Sequence, residues 1–505
     1  MYSRVNSNLL EDRLDAEFYS LEQIKNHKTL QDYGVIPLSA YCNGINVGYT
    51  GELTSVYRDQ GTTLYRVSDI NGIFLSNDDV NYVPDDFAAN NSQIWIRDND
   101  IVFAAVGNTI GKVALKTVSM PDGVCSRALM IARPLTDKID SSFLIAYLAT
   151  KYAQKSLLRG ISGSAQPVLN TPLIANLPVI TAESLSQKYI GDKVRQAEQL
   201  GAWAKRLEQV SSFMFANALA ELGYKQKKST KIVRTKLEDR LDPAFYDEKF
   251  SFFDESWFKI NSEPLKQFIE SGSYGVLPSS NSYGKGNVRF IRATDLKNAN
   301  IDPTCFTYVP EEEVADKAKV SKGDILMEIK GAISTCELAE SHLAGTYING
   351  SIFRFTPKGI NNAYLAYFLS STIKELYCER VSVNNIISYL DLANLHELPV
   401  IRLKNDIEEF LAKNLININL AKKIAFALTR SAKTLVESLI EGQLTEQQLI
   451  QAQQALEDGD NSLDQAIISK LSAEGYAIEG ATPLFSDVDE LYSLLEDAAQ
   501  AEAEE

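Results

Sequence analysis

The chain repeats one plan twice, and this repetition limits its possible folds more than any other feature of the sequence. Residues 10–19 read LEDRLDAEFY and residues 237–246 read LEDRLDPAFY, so eight of ten positions agree at an offset of 227 residues. Later matches keep the same order, and their offset drifts only to 221, as small loop insertions and deletions would produce. A period this long predicts two duplicated domains, because the repeats of solenoid proteins are much shorter. The later matches are 66–70 with 292–296, 82–84 with 308–310, 100–107 with 324–331, and 177–180 with 398–401.

Each copy predicts the same succession of elements and therefore an α+β fold. Short β-rich runs with turn residues between them follow the opening, for example 63–67 and 101–106 in the first copy. A helical pattern then covers about 142–158, with its counterpart at about 364–377. A loop rich in Gly, Ser and Asn leads to a Leu-Pro-Val-Ile strand, and a long helix follows that strand in both copies.

Both long helices carry an apolar stripe whose positions alternate between three and four residues apart, which is the spacing of a heptad seam. In the first helix the next seam position is the polar Asn217, so the stripe moves there to Ala218 and Leu222. In a duplicated chain the two stripes most simply pack against each other; the alternative is that each helix packs only on its own domain. The stripes are Leu200, Trp203, Leu207, Val210 and Met214 in the first helix, and Ala421, Ala425, Leu428, Ala432, Leu435 and Leu439 in the second.

The net charge of −16 argues against nucleic-acid binding only until the charge is located. Residues 441–505 hold 16 acidic residues and one Lys, whereas residues 1–440 hold 49 basic and 50 acidic residues. The body is therefore close to neutral and can carry a basic face, while the acidic segment is electrostatically separate. Apolar clusters at 481–485 and 488–495 predict that this acidic extension folds or docks, with short helices around 446–456 and 487–499.

Catalytic motifs are mostly missing from the sequence. Three His residues leave almost no material for His-based triads or zinc sites, and no Gly-x-Gly-x-x-Gly run opens a helix. The turn at 107–112 resembles a phosphate loop, but it has three spacer residues instead of four, and Val113 stands where the Mg²⁺-binding hydroxyl belongs. The Asn-Pro-Pro-aromatic and Asp-Pro-Pro-Tyr motifs of amino-methyltransferases are also missing. We therefore predict no enzyme activity, no cofactor and no metal site.

One trace of a nuclease site remains in the second copy. Asp324, Glu328 and Lys330 could supply two carboxylates for Mg²⁺ and a cation for the phosphate. Their separation is too short for the usual two-strand arrangement, and the first copy has Ala104 and Val106 at the matching positions. A strand with a solvated Glu and Lys is the simpler interpretation.

The cysteines and the lack of long apolar runs predict a cytoplasmic protein. Five cysteines are scattered and never spaced as Cys-x-x-Cys, which favours a reducing compartment over a disulfide framework or a structural zinc site. No stretch approaches about eighteen uninterrupted apolar residues, and the first residues lack the basic segment and apolar run of a secretory signal.

The order of the duplicated motifs resembles that of the specificity subunits of type I restriction-modification systems, over about residues 8–441. There are two departures. Thr335-Cys336 stands where the first copy has Gly111-Lys112, which argues against a shared phosphate-contacting role for that turn, and the acidic extension from Gly442 is not part of the family pattern. The matching features in the first copy are Arg13-Leu14-Asp15, an aromatic strand ending at 66–70, a strand and Gly-rich turn at 100–112, a Ser/Gly/Asn loop at 161–170 and a Leu-Pro strand at 177–180.

The resemblance implies two tandem target-recognition domains related by a pseudo-two-fold axis, each followed by a long helix, with the helices paired as a coiled-coil spacer. It also implies a non-catalytic subunit that binds double-stranded DNA at a bipartite site and positions two adenine methyltransferase subunits, together with a restriction or translocase subunit where the complex also cleaves. Such systems serve in defence against phage. The expected divisions are a first recognition domain at 1–180, a spacer helix at 181–224, a linker and second recognition domain at 225–401, a second spacer helix at 402–441 and the acidic extension at 442–505.

Candidate DNA-binding residues come from loops with suitable chemistry. Phosphates are contacted by Lys, Arg and small polar donors, and base edges by Arg, Lys, Asn, Gln or Ser. Each of these residues could equally be part of a surface turn that makes no contact. Two alternative functions stay open: a self-contained metal-dependent DNA nuclease, and a DNA-mimicking or assembly protein that acts through its acidic extension. The candidates are Arg66, Asn108, Thr109, Lys112, Ser162 and Gln166 in the first copy, and Tyr283, Lys285, Arg292, Lys330, Asn384 and Asn385 in the second.

Overall fold

The computed structural model describes residues 16–161, 168–229, 243–302, 304–331, 333, 335–382 and 389–503. The two LEDRLD segments, with Arg13, Leu14 and Asp15, lie outside these residues. Among the described residues, no helix has both the length and the apolar character needed to cross a membrane.

The chain forms two compact units. Unit 1 consists of Met1–Ala202 with Ile424–Glu505, and unit 2 consists of Trp203–Lys423. Each unit contains one copy of the duplicated plan. The division falls inside both long helices, so each unit also holds one half of each helix.

The first copy consists of short strands and short helices followed by one long helix. Its helices are α1 (Leu21–Tyr33), α2 (Asp85–Ala89), α3 (Ser141–Leu148), α4 (Lys151–Arg159), α5 (Thr171–Ala175) and the long α6 (Ser184–Leu222). Its strands are β1 (Val35–Pro37), β2 (Cys42–Val47), β3 (Thr62–Tyr65), β4 (Ile70–Asn71), β5 (Phe74–Leu75), β6 (Asn81–Val83), β7 (Trp95–Ile96), β8 (Ile101–Ala104), β9 (Val113–Leu115), β10 (Gly123–Cys125), β11 (Leu129–Pro134) and β12 (Pro178–Ile180).

The second copy repeats this succession, and three helices of the acidic extension follow it. The helices of the second copy are α7 (Ser256–Asn261), α8 (Ala293–Leu296), α9 (Asn362–Leu369), α10 (Thr372–Val381), α11 (Leu392–His396) and the long α12 (Asn405–Ile440). Its strands are β13 (Ser262–Pro264), β14 (Ile269–Tyr274), β15 (Val288–Ile291), β16 (Thr307–Val309), β17 (Ile325–Glu328), β18 (Cys336–Leu338), β19 (Tyr347–Ile348), β20 (Ile352–Pro357) and β21 (Pro399–Ile401). The extension contains α13 (Glu446–Glu457), α14 (Ser462–Ile468) and α15 (Val488–Ala503).

The strand order confirms the duplication and the α+β fold. The order β2-β11-β8-β9 in unit 1 recurs as β14-β20-β17-β18 in unit 2, and the order β6-β3-β10 recurs as β16-β15-β19. The small sheet β1-β12 recurs as β13-β21. The register is kept as well, since Ile101 pairs with Ala132 in the first copy and Ile325 pairs with Phe355 in the second.

The helical pattern at 142–158 forms two helices instead of one. The buried Thr150 separates α3 from α4, accepts a hydrogen bond from the Ala153 N–H at 3.2 Å and donates one to the Tyr147 carbonyl at 2.6 Å. Its side chain therefore caps the second helix, as Thr does at many helix starts. The second copy breaks in the same place, where Ser371 precedes α10.

The halves of the two long helices that belong to unit 2 pack as an antiparallel pair. The Asn414 amide donates to the Ser211 hydroxyl at 2.9 Å, and both side chains are buried. Lys404 pairs with Glu221 at 3.2 Å, and Lys422 pairs with Glu208. The residue numbers fall along α12 as they rise along α6, so the helices run in opposite directions.

The predicted seam of α6 is correct at Leu200 and Trp203 and wrong at Val210. Leu200 and Trp203 are buried, but Val210 is 49% exposed and the buried position is the next residue, Ser211. A straight helix with 3.6 residues per turn drifts about 20° per heptad against a strict heptad repeat, so the predicted stripe moves off the buried face. The seam of α12 is buried as predicted, except for the half-buried Ala425.

The acidic extension is folded and belongs to unit 1. Helices α13 and α15 lie where the sequence predicts them, whereas α14 was not predicted. Thr445 caps α13, with Gln448 returning the capping bond, and Leu449 and Ala452 enter the core of unit 1. The segment is therefore structured despite its charge.

Candidate nucleic-acid interface

In each copy the turn after the central strand, which is β8 in the first copy and β17 in the second, meets the segment that returns from the Ser/Gly/Asn loop. Val106, just after β8, forms an antiparallel bridge with Val168, and Lys330, just after β17, forms the same bridge with Tyr389. A backbone hydrogen bond lies beside each bridge, at 2.9 Å in the first copy and 3.0 Å in the second. Two candidate regions that are distant in the sequence thus come together at one strand end in each copy. We term this meeting point of the turn and the returning segment the strand-end site.

The strand-end site of the first copy contains the turn with Asn108, Thr109 and Lys112. Asn108 and Lys112 are exposed, while the Thr109 hydroxyl donates to the Val106 carbonyl at 3.3 Å and so helps to shape the turn. Gly111 has φ +94°, and a Cβ there would lie 2.9 Å from the Gln154 amide oxygen. The turn therefore needs glycine at this position, and it presents an amide and an ammonium group to solvent.

The strand-end site of the second copy contains Lys330 and Tyr389. The Lys330 ammonium lies 5.2 Å from the centre of the Tyr389 ring, and both side chains are exposed. A cation beside an accessible aromatic face suits nucleic acid, because the cation can meet a phosphate and the ring can stack. Tyr389 is not among the residues predicted from the sequence, although its position as an aromatic residue directly after the Asn-rich loop was a signal for it.

Four candidates, Ser162, Gln166, Asn384 and Asn385, lie outside the described residues. They belong to the two Ser/Gly/Asn loops whose described ends, Val168 and Tyr389, reach the strand-end sites. Their role as DNA contacts stays a prediction.

The two candidate arginines have internal partners. The Arg292 guanidinium donates to both oxygens of Asp295, at 2.7 and 2.8 Å, and the Arg66 backbone N–H donates to Asp69 at 2.7 Å. In both copies the Asp closes a short helical turn that begins after the Arg, which explains the Arg-x-(Ser/Thr)-Asp motif in structural terms. Neighbouring Asp295 raises the pKa of Arg292.

Tyr283 and Lys285 lie on a separate turn of the second copy. The half-buried Tyr283 ring packs edge-on against Phe290, with ring centres 5.9 Å apart, and its hydroxyl accepts a hydrogen bond from Asn349 at 3.4 Å. Lys285 is exposed. A Cβ on Gly286 would lie 2.6 Å from the backbone of Val309, so this turn also depends on glycine. Lys285 is therefore held on a defined turn.

The aspartates of the Asp-Ile motifs are structural. Asp324 is fully buried and accepts hydrogen bonds from Arg354 at 2.8 Å and Thr356 at 2.7 Å. Asp100 is also buried and accepts two bonds from Arg133, at 2.9 and 2.8 Å. A carboxylate that is removed from water and held by an internal cation is not available to bind a metal for catalysis.

The nuclease trace is therefore not assembled into a site. Glu328 is buried while Lys330 points to solvent, and Asp324 is occupied as described above. Within the part of the chain that the structure describes, no group of three or more His, Cys, Asp or Glu side chains could hold a metal ion. The simpler interpretation is correct in the strand and in the exposed Lys330, but wrong in expecting a solvated glutamate, because Glu328 is buried.

Comparison with known proteins gives a family match to the second copy. Residues 260–425 match the sequence model of the type I restriction modification DNA specificity domain. The type I restriction enzyme MjaVIII specificity subunit of Methanocaldococcus jannaschii is 26% identical over 127 residues, which cover 24% of this chain and 29% of that relative. The chain thus matches less than a third of that relative's length.

Two solved structures are similar over most of the chain. The S subunit of a type I restriction-modification system from M. genitalium has a TM-score of 0.39 at 12% identity, covering 83% of this chain and 95% of that one. The HsdS subunit from Thermoanaerobacter tengcongensis has a TM-score of 0.29 at 15% identity, covering 81% and 97%. The resemblance to type I specificity subunits predicted from the sequence is confirmed by the family match.

Proposed function

We propose that this relative of the type I restriction-modification specificity subunits is the DNA sequence-recognition subunit of such a complex in the cytoplasm. The observation that carries the proposal is the strand-end site, which occurs once in each copy. In both sites a turn and a returning loop meet at the end of the central strand, with exposed cationic and polar side chains. Two similar sites on a duplicated scaffold suit two halves of one DNA site.

The mechanism is positioning rather than chemistry. The recognition domains, at 1–180 and 225–401, each bind one half-site, and the spacer helices at 181–224 and 402–441 separate them. Double-stranded DNA bound in this way is presented to two DNA methyltransferase subunits, each of which extrudes its target adenine for methylation. A restriction or translocase subunit joins where the complex also cleaves.

The spacing of the half-sites follows from the long helices. Helix α6 has 39 residues, about 58 Å at 1.5 Å per residue, and it contributes residues to both units. One turn of B-DNA is about 34 Å long, so this length corresponds to between one and two turns. The two half-sites would then be separated by base pairs that the protein does not contact.

Exposed residues at the strand ends are the best candidates for DNA contacts. Lys112 and Lys330 suit phosphates, whereas Asn108 can donate to and accept from a base edge. Arg66 and Arg292 would contact DNA only with the guanidinium edge that their aspartates leave open. Thr109, Tyr283 and Lys285, together with Ser162, Gln166, Asn384 and Asn385, complete the proposed contact set.

A direct test compares the chain alone with the assembled complex. The purified chain, supplied with Mg²⁺ and methyl donor, should neither cleave nor methylate DNA. Co-expressed with the methyltransferase subunit from a neighbouring gene, it should direct adenine methylation to one bipartite sequence. Cleavage by the chain alone that disappears in Glu328→Ala would instead support the nuclease alternative.

A matched pair of variants tests the strand-end site itself. Lys330→Gln should weaken DNA binding by the complex, because Lys330 follows β17 at the proposed contact site. Lys322→Gln removes the same charge from the other end of the same strand and should leave binding unchanged. Equal losses in both variants would contradict the assignment of the site.

A further inference from the structure

The turn after β17 lies on two buried charged side chains that the proposed DNA contacts do not use. Lys374 of α10 is fully buried, and its ammonium donates a hydrogen bond to the carbonyl of Ile333 in the turn at 2.8 Å. Glu328, the last residue of β17, is 8% exposed, and a Cβ on Gly331 would lie 2.6 Å from its carboxylate oxygen. The turn that carries Lys330 therefore has an ammonium and a carboxylate against its inner side.

The backbone conformation of this turn needs support from outside the turn. Ile333 has φ +54°, a left-handed conformation that is costly for a β-branched residue. Its side chain belongs to the hydrophobic core of unit 2, so Ile333 is held both by the core and by the hydrogen bond from Lys374. Backbone in such a conformation persists only where the surrounding structure fixes it, and it is common at functional sites.

The scaffold does not require the two charges, because the first copy has alanine at both positions. Glu328 corresponds to Ala104 at the end of the central strand, and Lys374 corresponds to Ala153 in the equivalent helix. Both alanines are buried, so a methyl group is enough for the packing there. Burial of a carboxylate and an ammonium costs desolvation free energy that alanine avoids. We therefore look for their effect in the turn and not in the core.

The turn of the first copy is closed by hydrogen bonds of its own. The Ile110 N–H donates to the Gly107 carbonyl at 3.3 Å, and the Lys112 N–H donates to the Thr109 carbonyl at 3.1 Å. In the second copy the bond that reaches Ile333 comes from a helix residue 41 positions later in the chain. Loss of that donor would alter the second turn and leave the first unchanged.

The turn of the second copy is connected through the backbone to the side chains that we expect to contact DNA. Lys330 lies three residues before Ile333 and forms the antiparallel bridge with Tyr389. The Leu390 N–H also donates to the Ile329 carbonyl at 3.0 Å. A shift of the turn therefore displaces the lysine and the segment that carries the tyrosine ring.

We propose that Lys374 and Glu328 are positioning residues for the strand-end site of the second copy. From inside unit 2 they hold the turn around Ile333 in the conformation that places Lys330 beside Tyr389. Both side chains are buried, so they act on DNA binding only through the turn. The inference rests on the proposed function, because it takes the strand-end site as a surface that binds DNA. Glu328 then shapes this surface instead of binding a metal.

A double-mutant cycle between Lys374 and Lys330 tests the inference. The affinity of the assembled complex is measured for a duplex that carries the bipartite sequence identified by methylation mapping. Lys374→Met removes the ammonium but keeps a long apolar side chain in its place. Lys330→Gln should weaken binding in the unaltered complex, and its effect should be at least about threefold smaller after Lys374→Met, because Lys330 is then no longer held at the DNA.

The single and double variants give distinct outcomes. An equal loss from Lys330→Gln with and without Lys374→Met would overturn the inference, because Lys374 would then affect stability alone. No loss from Lys330→Gln in the unaltered complex would instead refute the strand-end site on which the proposed function rests. Asp324→Asn is the control: it weakens a buried ion pair at the other end of β17, so the effect of Lys330→Gln should stay the same.

Further variants serve if Lys374→Met fails to fold. Glu328→Gln keeps the shape of the other positioning side chain and should reduce the effect of Lys330→Gln in the same direction. Gly331→Ala adds a Cβ that meets the Glu328 carboxylate and should do the same, whereas Gly359→Ala also has a positive φ but meets nothing within 4 Å and should not. An unchanged effect of Lys330→Gln in both Glu328→Gln and Gly331→Ala complexes would overturn the inference.

The bipartite site provides a second measurement that separates positioning from a general loss of stability. Lys374 belongs to unit 2, whereas the first recognition domain belongs to unit 1. Methylation of duplexes with single-base changes should therefore become less selective in one half of the sequence after Lys374→Met, and remain selective in the other half. An equal loss of selectivity in both halves would overturn the inference.

Discussion

Glu337 provides a test of the packing in unit 2 through its response to pH. It lies on β18, where it pairs with Leu326 and accepts a hydrogen bond from Asn300 at 2.9 Å. Burial raises the pKa of the Glu337 carboxyl to about 7, and the bond from Asn300 and the nearby Lys422 offset only part of that effect. Below about pH 7 the Glu337 carboxyl is therefore mostly neutral in the folded protein.

This shift has a definite sign. In the unfolded chain the carboxyl has its usual pKa of 4.5. Because the folded state holds the proton more tightly, the stabilisation is fully present below pH 4.5 and is lost as the pH rises through 7. From pH 5 to pH 8 this loss amounts to about 2 to 3 kcal/mol of the free energy of unfolding.

The variant Glu337→Gln should remove this dependence. Glutamine stays neutral and keeps an oxygen that can accept from Asn300, so the variant should gain about 2 to 3 kcal/mol over the unaltered chain on going from pH 5 to pH 8. Urea unfolding at both pH values measures the difference. Glu312→Gln, an exposed carboxylate in the same unit, is the control and should shift stability by less than about 0.5 kcal/mol. Equal changes for Glu337→Gln at pH 5 and pH 8 would refute the reasoning.

Three further outcomes are expected. Asp324→Ala should destabilise unit 2 by about 3 to 5 kcal/mol in thermal unfolding, because Arg354 would lose its buried partner; a loss below about 1 kcal/mol would contradict the structural role. Lys330→Gln should reduce the slope of log binding constant against log salt by about one, if the side chain contacts a phosphate; an unchanged slope would exclude that contact. Deleting one heptad from each long helix should change the spacer in the methylated sequence and leave both half-sites unaltered; mapping that shows the original spacer would mean that the helices do not set the distance.

The parts of the fold that the sequence predicts are those with a repeated or periodic signal. The duplication, the α+β class and the two long helices follow from matched motifs and apolar spacing within short windows. The break at Thr150 was missed because one capping hydroxyl decides it inside an otherwise helical pattern. Val210 was misplaced because strict heptad spacing ignores the drift of a straight helix.

Long-range contacts could not be predicted from the sequence. Lys193 and Asp464 are 271 residues apart, and nothing local to either residue indicates that they meet. The bridge between Lys330 and Tyr389 is a similar case, because it depends on sheet pairing that brings a distant loop to the strand end. The candidate turns were correctly placed on strand ends, but their partners required the tertiary structure.

The two copies keep their scaffold and differ at their strand ends. Both copies have a buried aspartate at the start of the central strand, but its partners differ. In the first copy the cation is Arg133. In the second copy Thr356 stands at the equivalent position of the sheet, and the cation is Arg354, which lies nearby on β20. Each buried aspartate thus has an internal arginine as its partner. The strand ends, in contrast, differ in the chemistry that they expose. The first presents an amide and a lysine on a glycine turn, and the second presents a lysine beside a tyrosine ring. If these strand ends contact bases as proposed, their different chemistry predicts a bipartite site with two unlike halves.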